Sequence, residues 1–295
     1  LFDKIEIRKK VTEKKVAMNR WLDSKRAINI KTWSLCTILF VSLILTSPGA
    51  NAAAWLAETG AQYHFNAFHY YETSSFTSQD GVSSATALYR KYESINLSEY
   101  GFSDSLTLGA KYGYIYASQT GTGTSKGLTD PEVLARFGIW KNSKNIISIQ
   151  PSIKIPLGNA NKDRPFSTGQ YDAEIRLLWG SSFLDARQSF FNLETAYKIR
   201  GGNNPDEIKV DAAGGIYLAS KTMALAQLFS TASAGHEAIS ITTRNPSDFY
   251  TQKLELSLVQ KVKKNLSIQM GVYGEIFNEN SARGNGAFIS LWIRR

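Results

Sequence analysis

Charged side chains recur at every second position in several short stretches. Asp172, Glu174 and Arg176 form one set, Glu194, Lys198 and Arg200 a second, Lys209 and Asp211 a third, and Lys253 and Glu255 a fourth. Lys111, Arg136, Lys154 and Glu275 stand in comparable settings. A period of two puts each set on one face of an extended strand. Such a face can do two kinds of chemistry. Lining a pore, it selects permeants by charge, as rings of charge do in channels. Facing its neighbours, it forms cross-strand ion pairs that stiffen or plug the interior. The stretches at 172–176, 194–200 and 209–211 carry both signs, which suits internal pairing.

Catalysis finds less support. Of the three histidines, His64 and His69 are five residues apart and fall on opposite faces of a strand, so they cannot share a metal. His236 with Ser233 or Ser240 lacks the spacing of a nucleophile elbow. Asp130-Pro131-Glu132 reads as a loop-to-strand junction, where proline is ordinary. No enzyme, cofactor or metal site is expected.

The charged faces need strands to hold them, and alternation runs along most of the chain. The pattern is cleanest over Thr251–Ile276. There Leu254, Leu256 and Leu258, then Leu266, Ile268, Met270 and Val272, alternate with polar residues across a break at Lys261–Lys264. This is a hairpin with one apolar and one polar face. In a soluble sandwich the apolar face would be a core. In an outer-membrane barrel it meets lipid while the polar face lines a lumen.

Further strands are predicted over Trp55–Tyr71, Leu88–Tyr100, Leu106–Tyr116, Glu132–Ile139, Ile147–Ile155, Tyr171–Trp179, Phe191–Arg200, Ile208–Leu218, Met223–Gly235 and Phe288–Arg295. That makes about twelve, each of roughly the ten residues that a tilted strand needs to cross a bilayer. Short connections alternate with longer ones rich in Gly, Asn and Ser, the longer ones including Thr73–Thr86, Ser118–Thr129 and Gly158–Gly169. Both termini then fall on the short-turn, periplasmic side. The fold class expected is all-β, a transmembrane antiparallel up-and-down barrel.

Composition agrees. Aromatics make up 12% of the 295 residues, as suits a barrel with aromatic rims. The net charge is +9, but residues 1–52 hold ten Lys and Arg against four Asp and Glu. The remainder is nearly balanced and gives no case for nucleic acid as a partner. Trp33–Leu45 is an apolar run, too short to span a membrane as a helix and preceded by Arg20, Lys25, Arg26 and Lys31. Small residues follow at Ala50 and Ala52. This is the layout of a secretory signal peptide over 18–52, cut after Ala52, with 1–17 read as an upstream extension and 53–295 as the barrel. Cys36, the single cysteine, leaves with the leader.

Several strings carry a family likeness. Glu99-Tyr-Gly-Phe-Ser-Asp-Ser-Leu-Thr-Leu-Gly109, Asp130-Pro-Glu132 with Arg136 and Trp140, Pro151-Ser-Ile-Lys-Ile-Pro-Leu-Gly158, and Asp172-Ala-Glu174 with Trp179-Gly180 resemble outer-membrane proteins of the phenol meta-pathway transporter and XagA-like group. The likeness is best over roughly residues 90–220. It implies a Gram-negative outer-membrane barrel that passes small, often hydrophobic or aromatic compounds. Its partners would be outer-membrane lipid and lipopolysaccharide, the barrel-assembly machinery and a small permeant. One departure is the ending Leu291-Trp-Ile-Arg-Arg295, where such barrels close on an aromatic residue. Either a last residue is missing from this sequence or recognition uses a variant signal. The alternative function is a non-conducting barrel that binds partners through its outer loops.

Overall fold

A computed structural model describes residues 54–157, 169–183, 189–202, 204–234 and 248–295. The leader with Cys36, His236, Ser240 and nearly all of Gly158–Gly169 lie outside these residues. Thirteen strands are described: β1 (Gln62–Thr77), β2 (Ser83–Ser103), β3 (Leu106–Gln119), β4 (Gly123–Leu128), β5 (Glu132–Lys141), β6 (Asn145–Lys154), β7 (Asp172–Phe183), β8 (Ser189–Arg200), β9 (Asp206–Ala219), β10 (Thr222–Ala234), β11 (Tyr250–Lys263), β12 (Leu266–Glu279) and β13 (Ser281–Arg294). Each pairs antiparallel with its neighbours, β13 pairs with β1, and β2 pairs with β3, so the sheet closes on itself. Closure pairs the strands around the ring, as a sheet in hydrocarbon must, with β4 paired on one side only among the described residues.

The wall has twelve strands because β4 and β5 share one place in it. β4 pairs with the upper part of β3, Tyr114–Gln119, and β5 with its lower part, Leu106–Lys111. The interruption falls at Thr129-Asp130-Pro131. Proline has no N–H to give the ladder, so the strand restarts at Glu132, as the junction reading required.

The distribution of polarity decides between sandwich and barrel. On β12 the outward Met270 and Val272 are 58% and 59% exposed, while the inward Gln269 is 5% exposed. Inward Ser257 and Glu255 on β11 are buried, while Leu256 and Leu258 are exposed. Apolar outside and polar inside is the inverse of a soluble protein and the pattern of a barrel in lipid. One stretch departs from it: on β1 and β2 the outward residues include His64, Asn66, Ser94, Asn96 and Ser98, and the apolar Ile95 and Leu97 point inward.

Three boundaries differ from the sequence reading. Trp55–Ala61 is not strand; β1 begins at Gln62. Thr73–Thr86 is not a long loop, because β1 runs to Thr77 and β2 resumes at Ser83. Ser118–Thr129 is largely hairpin, with β4 inside it. Gly, Ser and Thr read as loop formers, yet in a closed wall neighbouring strands supply the pairing that propensity lacks. The link from β12 to β13 is tighter still, a single residue, Asn280, at φ 48°, a left-handed conformation that asparagine tolerates.

Candidate functional site

The start of β1 and the residue that follows β13 meet at one end of the barrel, where Gln62 and Arg295 exchange backbone hydrogen bonds of 3.0 and 2.9 Å. Residues 54–60 turn from this end into the lumen. The inner wall has room for them because two of its positions are glycine. A Cβ at Gly180 would collide with the Trp55 ring, and one at Gly138 would sit 2.8 Å from Leu56 Cδ1. Buried backbone groups need partners, and the inner face supplies them. Ser148 Oγ donates to the Ala54 carbonyl at 2.8 Å, Arg136 Nη1 to the Trp55 carbonyl at 2.9 Å, and Ala57 N–H to Thr107 Oγ1 at 2.8 Å. Arg136 is the pivot: its Nη2 also lies 2.6 Å from Glu99 and its Nε 2.9 Å from Gln150. Apolar packing completes the plug. Trp55 packs against the cluster of Phe190, Met223, Leu225 and Val259 and also against that of Ala54, Ile146 and Leu178.

Above the plug the lumen has two unlike walls. The wall of β6–β9 is a network of charge. Arg176 lies 2.9 Å from Glu174, 2.7 Å from Glu194 and 2.6 Å from Asp211, and Lys209 lies 2.8 Å from Glu174. Farther from the termini, Asp172 is met by Lys154 at 2.8 Å and Lys198 at 3.3 Å, and Glu207 by Arg200 at 3.1 Å. The other wall, β1 with β10–β13, is aromatic. His69 stacks on Phe288 at 5.0 Å, Tyr71 lies parallel to Tyr273 at 6.3 Å, and Tyr273 Oη donates to the Tyr70 carbonyl at 3.0 Å. Its charges are sparser: Lys253 pairs with Glu255 at 2.7 Å beneath the Phe229 and Tyr273 rings, and Glu275 accepts from Gly284 N–H at 2.8 Å.

The aromatic wall is also where the ladder fails. β12 and β13 pair from Leu266–Ile293 to Gly274–Asn285 and no farther, although both strands continue to Asn280. Beyond that rung Glu275–Glu279 pairs only with β11, and Ser281–Gly284 only with β1. Side chains span the gap instead, Glu275 to Gly284 N–H and Asn278 to the Ser281 carbonyl at 3.0 Å. A cavity of about 500 Å³ opens there. Its lining includes outward Leu254, Leu256, Val272 and Ile276 together with Tyr273 and Glu275, whose register is inward.

A second cavity, of about 430 Å³, lies beside the plug at the terminal end. Trp55, Tyr63, Phe65, Phe190, Tyr217 and Trp292 line it, and Lys221, Lys261, Lys264 and Arg294 stand at its rim. Arg294 pairs with Glu58 of the plug. The three lysines have no acidic partner among the described residues.

Each of the fourteen charged residues taken from the sequence as lumen candidates stands at an inward register position, though not in one site. Asp172, Lys154, Lys198 and Arg200 meet, as do Arg176, Glu174, Glu194, Asp211 and Lys209. Arg136 joins the plug instead, Lys253, Glu255 and Glu275 lie on the aromatic wall, and Lys111 is exposed on β3. Glu99, Glu207, Lys91 and Glu93 were missed. The alternation of Glu207 with Lys209 and Asp211 could have flagged the second. The plug was missed because Trp55–Leu56 reads as strand, and nothing local says that it turns inward. His64 and His69 face opposite sides of the wall; His64 bonds Ser98 Oγ at 2.9 Å.

No family model matches the sequence, and no curated protein matches it. Among solved structures, the chain is similar to a crystallised outer-membrane channel from Pseudomonas putida F1, with a TM-score of 0.71 at 14% identity over 84% of this chain and all of that one. At that identity the likeness shows the fold, an outer-membrane barrel. The NanC porin and a KdgM porin in complex with oligogalacturonate align with TM-scores of 0.48 and 0.47, at 9% and 10% identity over 78% of this chain and 98% of each of theirs, too distant to carry an argument.

Proposed function

We propose that the protein is an outer-membrane channel for small apolar or aromatic solutes, and that they move along the aromatic wall between the β12–β13 opening and the vestibule beside the plug. The single observation behind this reading is the cavity in the wall where the ladder stops at Gly274–Asn285. A sheet in lipid gains from every backbone pair it closes, so a tight hairpin that leaves rungs unpaired gives up stability for an aperture. The aperture is apolar outside and aromatic within, which suits an apolar solute better than a hydrated ion. The charge network of β6–β9 is better suited to holding the barrel and its plug than to filtering, because its members already satisfy one another.

The test uses liposomes. A Cβ at Gly274 would meet its nearest neighbours at 3.5–3.9 Å, ordinary contact, and Gly274 lines the cavity, so Gly274→Leu adds apolar bulk there. Uptake of a small aromatic such as toluene into wild-type proteoliposomes should exceed that into empty ones, and Gly274→Leu should lower it several-fold with unchanged heat-modifiable gel migration. Equal uptake by both folded proteins would remove the side path. No uptake by either would favour the alternative of a barrel acting through its outer loops.

A further inference from the structure

We propose that the vestibule beside the plug is a binding site for small amphipathic anions, an aromatic or aliphatic body carrying one carboxylate. Two observations point there together. The floor is built of aromatic rings from the plug, β1, β8, β9 and β13, and aromatic faces and edges give a flat apolar body large contact area at favourable geometry. The rim carries Lys221, Lys261 and Lys264, which come from adjacent turns and the end of β11; Lys261 N–H donates to the Lys221 carbonyl at 2.7 Å.

These ammonium groups differ from most of the cations that line the lumen, Lys111 on β3 being the other exposed inward cation without an ion pair among the described residues. Arg136, Arg176, Lys154, Lys198, Arg200, Lys209 and Lys253 each have a carboxylate within 4.0 Å. Among the described residues that line the vestibule the carboxylate is Glu58, and it is taken by Arg294. A cavity of about 430 Å³ falls in the ordinary range for small-molecule sites, mostly apolar with a few convergent polar groups. Among the described residues the unmatched charge here is positive, which calls for an anion. A free ammonium near a low-dielectric wall attracts a carboxylate more strongly than it would in bulk water. The proposal names the solute class for the path described above and rests on that reading for its role, but binding itself does not require conduction.

The experiment is a titration of the full chain, purified in detergent, with benzoate, its neutral isostere benzamide and the cation benzylamine. Heat of binding is the readout, and quenching of tryptophan fluorescence, to which Trp55 and Trp292 contribute, is the second. Benzoate should bind saturably and roughly tenfold more tightly than benzamide, with benzylamine weakest. The Lys261→Gln/Lys264→Gln double variant should lose that preference. Because these lysines are exposed, the variant should keep wild-type gel migration. Equal binding of benzoate and benzamide, a preference that survives in the folded double variant, or non-saturable quenching from partition into detergent would each overturn the proposal. Benzoate binding by a protein that transports nothing would overturn the channel reading alone, and transport without benzoate preference would overturn this one alone.

Discussion

The two walls of the lumen solve the same problem by different chemistry. On β6–β9 the inward charges form one network with shared partners; Arg176 engages three carboxylates, and among the described residues Glu194 and Asp211 pair with it alone. On β1 and β10–β13 the inward residues include a run of rings, among them His69, Tyr71, Tyr273 and Phe288, joined by stacking and single hydrogen bonds, and the backbone ladder between β12 and β13 is incomplete. A multiply paired ionic wall resists change in any one member, because removal leaves buried charge uncompensated. An aromatic wall is made of separable contacts and can yield locally. The difference suggests a division of labour, with one wall fixing the barrel and the plug and the other leaving a path.

The most severe way to break this comparison is Arg176→Met. The variant keeps much of the volume and strands Glu194 and Asp211, which lie 2.7 and 2.6 Å from the guanidinium. Removing one partner of a buried ionic cluster costs about 3–5 kcal/mol. A large fall in the urea midpoint is therefore expected, measured by the shift from folded to unfolded gel mobility. A change under about 1 kcal/mol would mean that the network is solvated and that Arg176 is free to act as a charge filter.

The plug gives the next largest effect. Deleting residues 54–60 removes Trp55 from between the two apolar clusters and takes a partner from Arg136, yet leaves the twelve-strand ladder intact. Single-channel conductance in planar bilayers should rise several-fold. Unchanged conductance would place the constriction in the charge network instead.

These expectations differ in how far the sequence could have supplied them. Alternation over Thr251–Ile276 was enough for the barrel, because lipid on one side and a hydrated lumen on the other impose a strict period of two, and β11 and β12 obey it. The inward charges were legible for the same reason. What alternation cannot report is where a chain leaves the sheet. Trp55 and Leu56 look like strand residues, and only the glycines at 138 and 180, far away in sequence, show the space they fill. Nor can it report where pairing stops. Glu275–Glu279 alternates like any strand, and the missing rungs appear only in the register with β13. On β1–β2 the period was visible but its sense was not, since Asn66 and Asn96 face outward where apolar residues were expected.

The smallest expected effect sharpens the comparison most. Tyr273→Phe removes one hydroxyl, which donates to the Tyr70 carbonyl at 3.0 Å, and keeps the ring that packs on Tyr71, His69 and Phe288. A single neutral hydrogen bond contributes about 0.5–1.5 kcal/mol net, so the urea midpoint should move only slightly. The informative quantity is coupling. Combined with Phe288→Leu, Tyr273→Phe should add within roughly 0.5 kcal/mol, as independent contacts do. Arg176→Met combined with Glu194→Gln should be far from additive, because the second change removes part of the charge that the first left stranded. Strong coupling at Tyr273 would mean that the aromatic wall is as cooperative as the ionic one. Its incomplete ladder would then be a rigid window, open at all times, with no local yielding as solutes pass.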